Sequence, residues 1–187
     1  MRPALERAPD TGQEYELING QWEAKEMAGL KHGNTIMRLG ARLQLFVEQN
    51  DLGQIYSPDT TFQVGSNQRL PDLSFVVKGR IPTGEEQYGI GKFAPDLAVE
   101  VISPNDFWDK VQDKIAEYFA AGVREVWIVT LSQQTVSIYR SATQVTILTE
   151  ADELTNVELL PGFCCRVSDI FGPRSAPAET EASPVIH

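Results

Sequence analysis

The sequence is poor in cysteine and histidine, and it has no long apolar run. The two cysteines among its 187 residues, Cys164 and Cys165, are adjacent, which disfavours a disulfide between them and offers no zinc-ligand spacing. No apolar run approaches the roughly 20 residues that a membrane-spanning helix needs. Residues 1–6 lack an apolar signal-peptide core. These absences predict a cytoplasmic protein with reduced thiols and no membrane partner.

Basic side chains are also scarce, since 26 acidic and 16 basic residues give a net charge of −10. Nonspecific affinity for nucleic acid comes mainly from neutralised phosphates, so this balance argues against a protein that coats DNA. It does not exclude an enzyme that acts on nucleic acid, because a bound divalent cation reverses the local sign of charge.

The length and the 42% hydrophobic content predict one folded domain with a sizeable core. We expect this domain to span residues 13–171. Residues 1–12 are polar and contain proline, which predicts a flexible N-terminal arm. Residues 172–187 are rich in proline, alanine and glutamate, which predicts a disordered C-terminal tail.

Turn residues and hydrophobic periodicity predict the elements of the domain. The pair Asn19-Gly20 between two short strand-like runs indicates an N-terminal β-hairpin. Apolar residues at three- and four-residue steps predict an amphipathic helix over residues 31–50. Strands are predicted over residues 53–56, 60–64, 73–77, 96–102 and 126–129, and a C-terminal β-hairpin over residues 135–139 and 144–148.

A second helix is predicted between the strands at residues 96–102 and 126–129. Asp106 or Asn105 is the expected N-cap, and Gly122 the expected C-terminal glycine. A strand, a helix and a strand in this order favour a right-handed crossover between two parallel strands. The fold class is therefore α/β, a mixed β-sheet flanked by helices.

One carboxylate in the predicted sheet needs a partner. Glu100 lies between apolar neighbours, and burying an unpaired ionised carboxylate costs several kcal/mol or more. Asp72 begins a second apolar strand, and Lys114 lies on the helix that follows Glu100. One or two carboxylates suffice to hold Mg²⁺, and an ammonium group can orient water or stabilise developing negative charge. The pattern fits a metal-dependent phosphodiesterase site.

Each of these residues also has a plainer interpretation. Asp72 could simply start a strand. Lys110 and Lys114 stand among acidic residues, so they could form a solvated helix face with pairs worth about 0.3–0.5 kcal/mol each. A lone histidine such as His32 is more often structural or exposed than catalytic. Alternation along the first hairpin predicts that Glu16 lies on the surface.

Longer motifs resemble a restriction-endonuclease family of small bacterial proteins, formerly a domain of unknown function, within the PD-(D/E)xK nuclease superfamily. The resemblance covers roughly residues 15–171. The matching stretches are residues 15–20, 32–33, 70–76, 94–106, 114–127 and 160–163. The resemblance implies a restriction-endonuclease-like fold.

The resemblance also implies a metal site. Asp72 and Glu100 match the acidic pair that binds the metal, with Mg²⁺ or Mn²⁺ as the cofactor. The superfamily pattern has a lysine two residues after the second acid, where this chain has Ile102. The resemblance implies that in this family the lysine lies on the following helix instead, and Lys114 matches that position.

Two further residues match family positions near the pocket. The resemblance implies that His32 assists catalysis and that Glu16 binds metal or a second cation. This chain departs from the family at Lys110, often an acidic residue, and at Thr130, where the family has aspartate.

The leading hypothesis is a metal-dependent endonuclease that hydrolyses phosphodiester bonds of nucleic acid, with DNA favoured over RNA, acting as a homodimer. The alternative is a catalytically inactive nuclease-fold protein that serves as a binding or interaction module. The acidic total charge and the missing strand lysine favour that alternative.

Overall fold

The computed structural model describes residues 8–84, 88–104, 106–156 and 158–172. In chain order its elements are β1 (Tyr15–Ile18), β2 (Gln21–Ala24), α1 (Leu30–Gln49), β3 (Gly53–Tyr56), β4 (Phe62–Val64), β5 (Asn67–Arg69), β6 (Leu73–Val77), β7 (Leu97–Ile102), α2 (Trp108–Ala120), β8 (Glu125–Thr130), β9 (Thr135–Tyr139), β10 (Val145–Leu148), β11 (Glu153–Asn156), β12 (Phe163–Arg166) and α3 (Val167–Phe171).

The ends of the chain are described only in part. Residues 8–12 of the predicted arm are exposed and form neither helix nor strand. Residues 1–7 and 173–187 lie outside the described residues, so the predicted disorder of the tail stays a prediction. No helix in the described ranges is long and apolar enough to cross a membrane.

The central sheet has six strands in the order β10-β9-β8-β7-β6-β3. The strands β7 and β8 pair in parallel and are joined through α2, while the other neighbours are antiparallel. Helices flank this sheet, so the predicted α/β class with a mixed sheet is confirmed. The predicted C-terminal hairpin is β9 with β10.

Alternate residues of β7 enter two apolar clusters. Leu97, Val99 and Val101 pack in the cluster that contains the buried residues of α1. Ala98 packs in the cluster that contains the buried residues of α2. Because side chains alternate along a strand, Glu100 shares the face of Ala98 and points toward α2.

A second sheet of four strands has the order β2-β1-β5-β4. Its outer hairpin turns at Asn19 and Gly20, which both have positive φ angles, as the Asn-Gly pair predicts. The strand β4 contributes Phe62 and Val64 to the apolar cluster that contains α2. This sheet therefore packs near the same helix as the central sheet. The strands β11 and β12 form a separate hairpin with the free Cys164 at its surface.

The predicted N-cap of α2 is wrong. The helix begins at Trp108 with Phe107 as its N-cap residue, and no side chain caps it. The Asp106 carboxylate accepts a hydrogen bond from the Ser103 N–H instead, so it closes the turn after β7. Asn105, the other candidate, lies outside the described residues. The strand β5 and the hairpin β11–β12 were not predicted.

Candidate active site

Asp72 directly precedes β6, and Glu100 lies on the neighbouring strand β7. The antiparallel register pairs Leu73 of β6 with Val99 of β7, so the next pair outward is Asp72 with Glu100. The Val101 N–H also donates to Asp72 Oδ2 at 2.8 Å. The two side chains are only 5% and 11% exposed. Like charges placed directly opposite each other destabilise a sheet, so these carboxylates require cations nearby.

Lys114 supplies one of those cations from α2. Its Nζ lies 2.9 Å from Glu100 Oε1 and 3.2 Å from Glu16 Oε1. The Tyr118 hydroxyl, one helical turn further, donates to the same Glu100 oxygen at 2.5 Å. A lysine on α2 therefore reaches the acid on β7, although the strand position two residues further is Ile102. This agrees with the expectation that the helix provides the missing ammonium.

The pKa values around Glu100 follow from burial and from these charges. Burial raises the pKa of Glu100, and the negative charges of Asp72 and Glu16 act in the same direction against the ammonium of Lys114. Burial lowers the pKa of Lys114, but the carboxylates of Glu100 and Glu16 outweigh it and hold that pKa above its usual value. Burial and Glu100 raise the pKa of Tyr118, which therefore stays a hydrogen-bond donor. The lysine remains charged while the glutamate is the group that protonates more easily.

Asp72 is held by two other basic side chains. His32, in the first turn of α1, places its Nε2 3.2 Å from Asp72 Oδ2, and Lys25 places its Nζ 3.1 Å from Oδ1. Burial raises the pKa of Asp72, but His32, Lys25 and the Val101 N–H overcome this and bring it to about 2. The hydrogen bond to Asp72 raises the pKa of His32. Asp72 is thus a permanent anion at neutral pH.

Glu16 is buried, so the expectation of a surface position is wrong. Its Oε2 accepts from Arg69 Nη1 at 3.0 Å, and its Oε1 accepts from the Leu70 N–H at 2.9 Å. Arg69 of β5 also forms a salt bridge with Glu117 of α2. Arg69 of the neighbouring strand β5 lies beside Glu16 in the same sheet, and Lys114 reaches Glu16 from α2, so the carboxylate is enclosed. Glu16 is brought to Lys114 by this packing.

The site lies beside a cleft rather than inside one. A cavity of about 320 Å³ is lined by His32, by Ser103 after β7 and by Leu131 after β8, among others. Asp72, Glu100 and Lys114 do not line it. Of the predicted site residues, His32 is the one that borders this cavity, and it contacts Asp72.

The donor set suits Mg²⁺ or Mn²⁺ rather than zinc. In the described part of the chain, no group of three or more histidine, cysteine, aspartate or glutamate side chains is arranged to hold a metal ion. Mg²⁺ needs only one or two carboxylates, because it keeps several water ligands. Asp72 and Glu100 are the two carboxylates that could hold such an ion, and Lys25, His32 and Lys114 compensate their charge in the described structure.

Three residues of this site could not be predicted from the sequence. Lys25 follows a short hairpin, and Arg69 belongs to a polar strand that was not predicted. Tyr118 was assigned to the apolar face of α2, which is correct, but its hydroxyl partner could not be inferred. Lys110 is exposed, as its plainer interpretation predicts.

Comparison with known protein families identifies the family of this chain. A family model named Uma2 and described as "Putative restriction endonuclease" matches residues 2–168. The chain belongs to the Uma2 family. A search of curated proteins finds no match.

Among solved structures, the Uma2 chain is similar to one from Anabaena variabilis described as "a putative nuclease belonging to DUF820". The two share 22% sequence identity with a TM-score of 0.78, over 87% of this chain and 92% of that chain. This likeness shows that the two chains share a fold.

Proposed function

We propose that this Uma2 protein is a metal-dependent endonuclease that hydrolyses phosphodiester bonds of nucleic acid with Mg²⁺ or Mn²⁺. The observation that carries the proposal is the placement of Asp72 and Glu100 opposite each other, both buried, on neighbouring strands. Two facing carboxylates cost stability unless cations compensate them. Lys25, His32 and Lys114 compensate the pair in the described structure, and metal binding gives it a role that apolar packing does not.

The residues receive the following roles in this proposal. Asp72 and Glu100 hold the metal, which supplies an activated water and stabilises charge on the phosphate when it is bound. Lys114 orients the attacking water or stabilises the developing negative charge, because it stays protonated beside Glu100. Tyr118 holds the Glu100 carboxylate in place through its hydroxyl.

His32 and Glu16 have supporting roles. His32 lines the cleft and touches Asp72, so it is the residue that can meet both the substrate and a metal ligand. Glu16 anchors Lys114, and it can serve a second cation only after it releases Lys114 and Arg69.

The test is cleavage of DNA and RNA by the purified protein with and without Mg²⁺ or Mn²⁺. Asp72→Ala, Glu100→Ala and Lys114→Ala are each expected to lower the cleavage rate by about 10²-fold or more. Lys110→Ala changes an exposed lysine one turn earlier on α2 and should cleave like the wild type. Thermal unfolding confirms that each variant is folded. Cleavage that survives all three site substitutions contradicts this assignment.

The inactive binding module remains the second candidate because every carboxylate of the site already has a basic partner and Ile102 replaces the strand lysine. Titration with Mg²⁺ and Mn²⁺ separates the two candidates. A metal that binds the folded state raises its melting temperature. No stabilisation by either ion favours the binding module.

The rest of the proposal concerns the nucleic-acid substrate, the oligomeric state and the cellular location. DNA rather than RNA is the proposed substrate, and parallel cleavage assays compare the two. A homodimer is the proposed assembly, which light scattering on the purified chain tests. The proposed location is the cytoplasm.

A further inference from the structure

Lys25 lies on the candidate site although it follows the outer hairpin, far from Asp72 in sequence. Its Nζ donates to the Leu70 carbonyl at 2.9 Å and lies 3.1 Å from Asp72 Oδ1. Its backbone N–H donates to the Glu14 carbonyl at 2.8 Å, which fixes the main chain to the hairpin. Only the side chain has to rotate for the ammonium to leave Asp72.

The two oxygens of Asp72 differ in the partners they have. Oδ2 accepts from the Val101 N–H and from His32, which belong to the central sheet and to α1. Oδ1 faces the Lys25 ammonium at the end of a flexible stem. The connection that follows Lys25 is exposed, and Met27 within it is 94% exposed. Oδ1 is therefore the oxygen that can change partner most easily.

Lys114 is less free to leave its carboxylates. Its Nζ contacts both Glu16 and Glu100, and it projects from the helix α2. Moving it would leave the buried Glu100 carboxylate without its ammonium, although Glu16 would keep Arg69, and an unpaired buried charge costs several kcal/mol. Lys25 has one carboxylate and one carbonyl as partners, so its departure costs less.

We propose that Lys25 is a positioning residue that occupies Asp72 Oδ1 in the metal-free protein and that a divalent cation displaces when it binds there. An ammonium and a metal ion within about 4 Å of each other repel, so both cannot stay on one oxygen. In the absence of metal, Lys25 compensates a carboxylate that faces Glu100. The inference rests on the proposed function, because the metal of that proposal is the displacing ion.

The experiment measures metal affinity rather than cleavage. Mn²⁺ is titrated by calorimetry into the wild type, Lys25→Met and Lys25→Arg. Lys25→Met removes the competing charge and keeps the length of the side chain, so we expect Mn²⁺ to bind about tenfold more tightly, a gain of about 1.4 kcal/mol. The same variant should melt at a lower temperature without metal. Lys25→Arg keeps the charge and should bind Mn²⁺ no more tightly than the wild type.

Two further variants complete the design. Lys25→Gln can keep the hydrogen bond to Leu70 without the charge, and it replaces Lys25→Met if that variant does not fold. Lys78→Met changes an exposed lysine paired with Asp51 at the other end of β6, and it should alter neither Mn²⁺ affinity nor the metal-free melting temperature appreciably.

The outcomes separate this inference from the proposed function. Unchanged or weaker Mn²⁺ binding in both uncharged variants overturns the displacement, even if the wild type cleaves nucleic acid. Tighter binding in those variants supports the displacement, even if no cleavage is found. An absence of Mn²⁺ binding in the wild type and in both uncharged variants overturns the two together.

Discussion

Asp72 and Glu100 face each other, yet their surroundings shift their pKa values in opposite directions. Burial raises the pKa of both carboxyl groups. For Asp72 the hydrogen bond from His32 and the charge of Lys25 outweigh burial, whereas Glu100 also feels the negative charge of Asp72. Titratable pairs with separated pKa values are typical of sites that combine a fixed charge with a group able to exchange a proton. This contrast is consistent with the proposed metal site.

The low pKa of Asp72 has a consequence for stability. It falls from the ordinary 3.8 to about 2 in the folded protein, so ionised Asp72 stabilises the fold above pH 3.8. That contribution is lost as the pH falls through the folded pKa. The shift corresponds to roughly 2 kcal/mol at pH 7. Asp72→Asn should therefore lower the free energy of unfolding by about this amount at pH 7, and by less near pH 3.

Urea denaturation in the presence of a chelator measures this difference at both pH values. Asp113→Asn, an exposed aspartate on α2, is the matched control and should stay within about 0.5 kcal/mol of the wild type. A deficit of Asp72→Asn that is as large at pH 3 as at pH 7 would contradict the assigned charge.

Helices and strands that bury apolar residues could be predicted from the sequence, whereas a strand held by polar contacts could not. The helix α1 and the strands β6 and β7 appear within a residue or so of their predicted bounds because they bury apolar residues in the core, and the partly buried β3 also matches its predicted bounds. The strand β5 consists of three buried polar residues. Its partners, such as Glu117 and Glu16, are distant in sequence, so no local pattern reveals it.

The same limit applies to the site. Asp72, Glu100 and Lys114 could be named because a carboxylate among apolar neighbours and a lysine on the next helix are visible in the sequence. Lys25 and Arg69 could not, because their partners Asp72, Glu16 and Glu117 are distant in sequence and meet them only in the folded chain. The N-cap of α2 was predicted wrongly because the Asp106 carboxylate accepts a hydrogen bond from the Ser103 N–H and does not cap the helix.

The end of α2 supports a prediction about glycine. Gly122 has a φ of +91°, and an added Cβ would find no atom within 4 Å, so alanine there is strained by the backbone alone. Gly122→Ala should lower the free energy of unfolding by about 1 kcal/mol. Gly33→Ala, inside α1 with equally open space, should raise it by about 0.5–1 kcal/mol. Urea denaturation compares the two, and changes of the same sign would contradict the argument.

Across the whole molecule, the two larger sheets are joined at α2 by charged side chains as well as apolar ones. Arg69 of the four-stranded sheet bonds Glu16 of its own sheet and Glu117 of α2. Asn67 of the same strand donates to Glu117 at 2.8 Å. Glu16 in turn holds Lys114, which contacts Glu100 of the central sheet. The candidate site therefore forms only where the two sheets meet.

Arg69 is the residue on which this junction depends most. Its side chain is 8% exposed. In Arg69→Met the buried Glu16 carboxylate keeps Lys114 as a cationic partner, while the partly buried Glu117 carboxylate loses the arginine and keeps the hydrogen bond from Asn67. Removing one partner of a buried ion pair costs about 3–5 kcal/mol, and urea denaturation should show a loss of this size. Arg124→Met changes an exposed arginine and should stay within about 0.5 kcal/mol of the wild type.

The double variant Arg69→Met/Glu117→Gln sharpens the test of this junction. It removes the charge of Glu117, the carboxylate that loses its arginine partner in Arg69→Met, so part of the lost stability should return. That recovery is expected only if the cost comes from buried charge rather than from lost packing, because glutamine has nearly the shape of glutamate. A double variant as unstable as Arg69→Met, or an Arg69→Met loss no larger than that of Arg124→Met, would show that packing alone holds the sheets together.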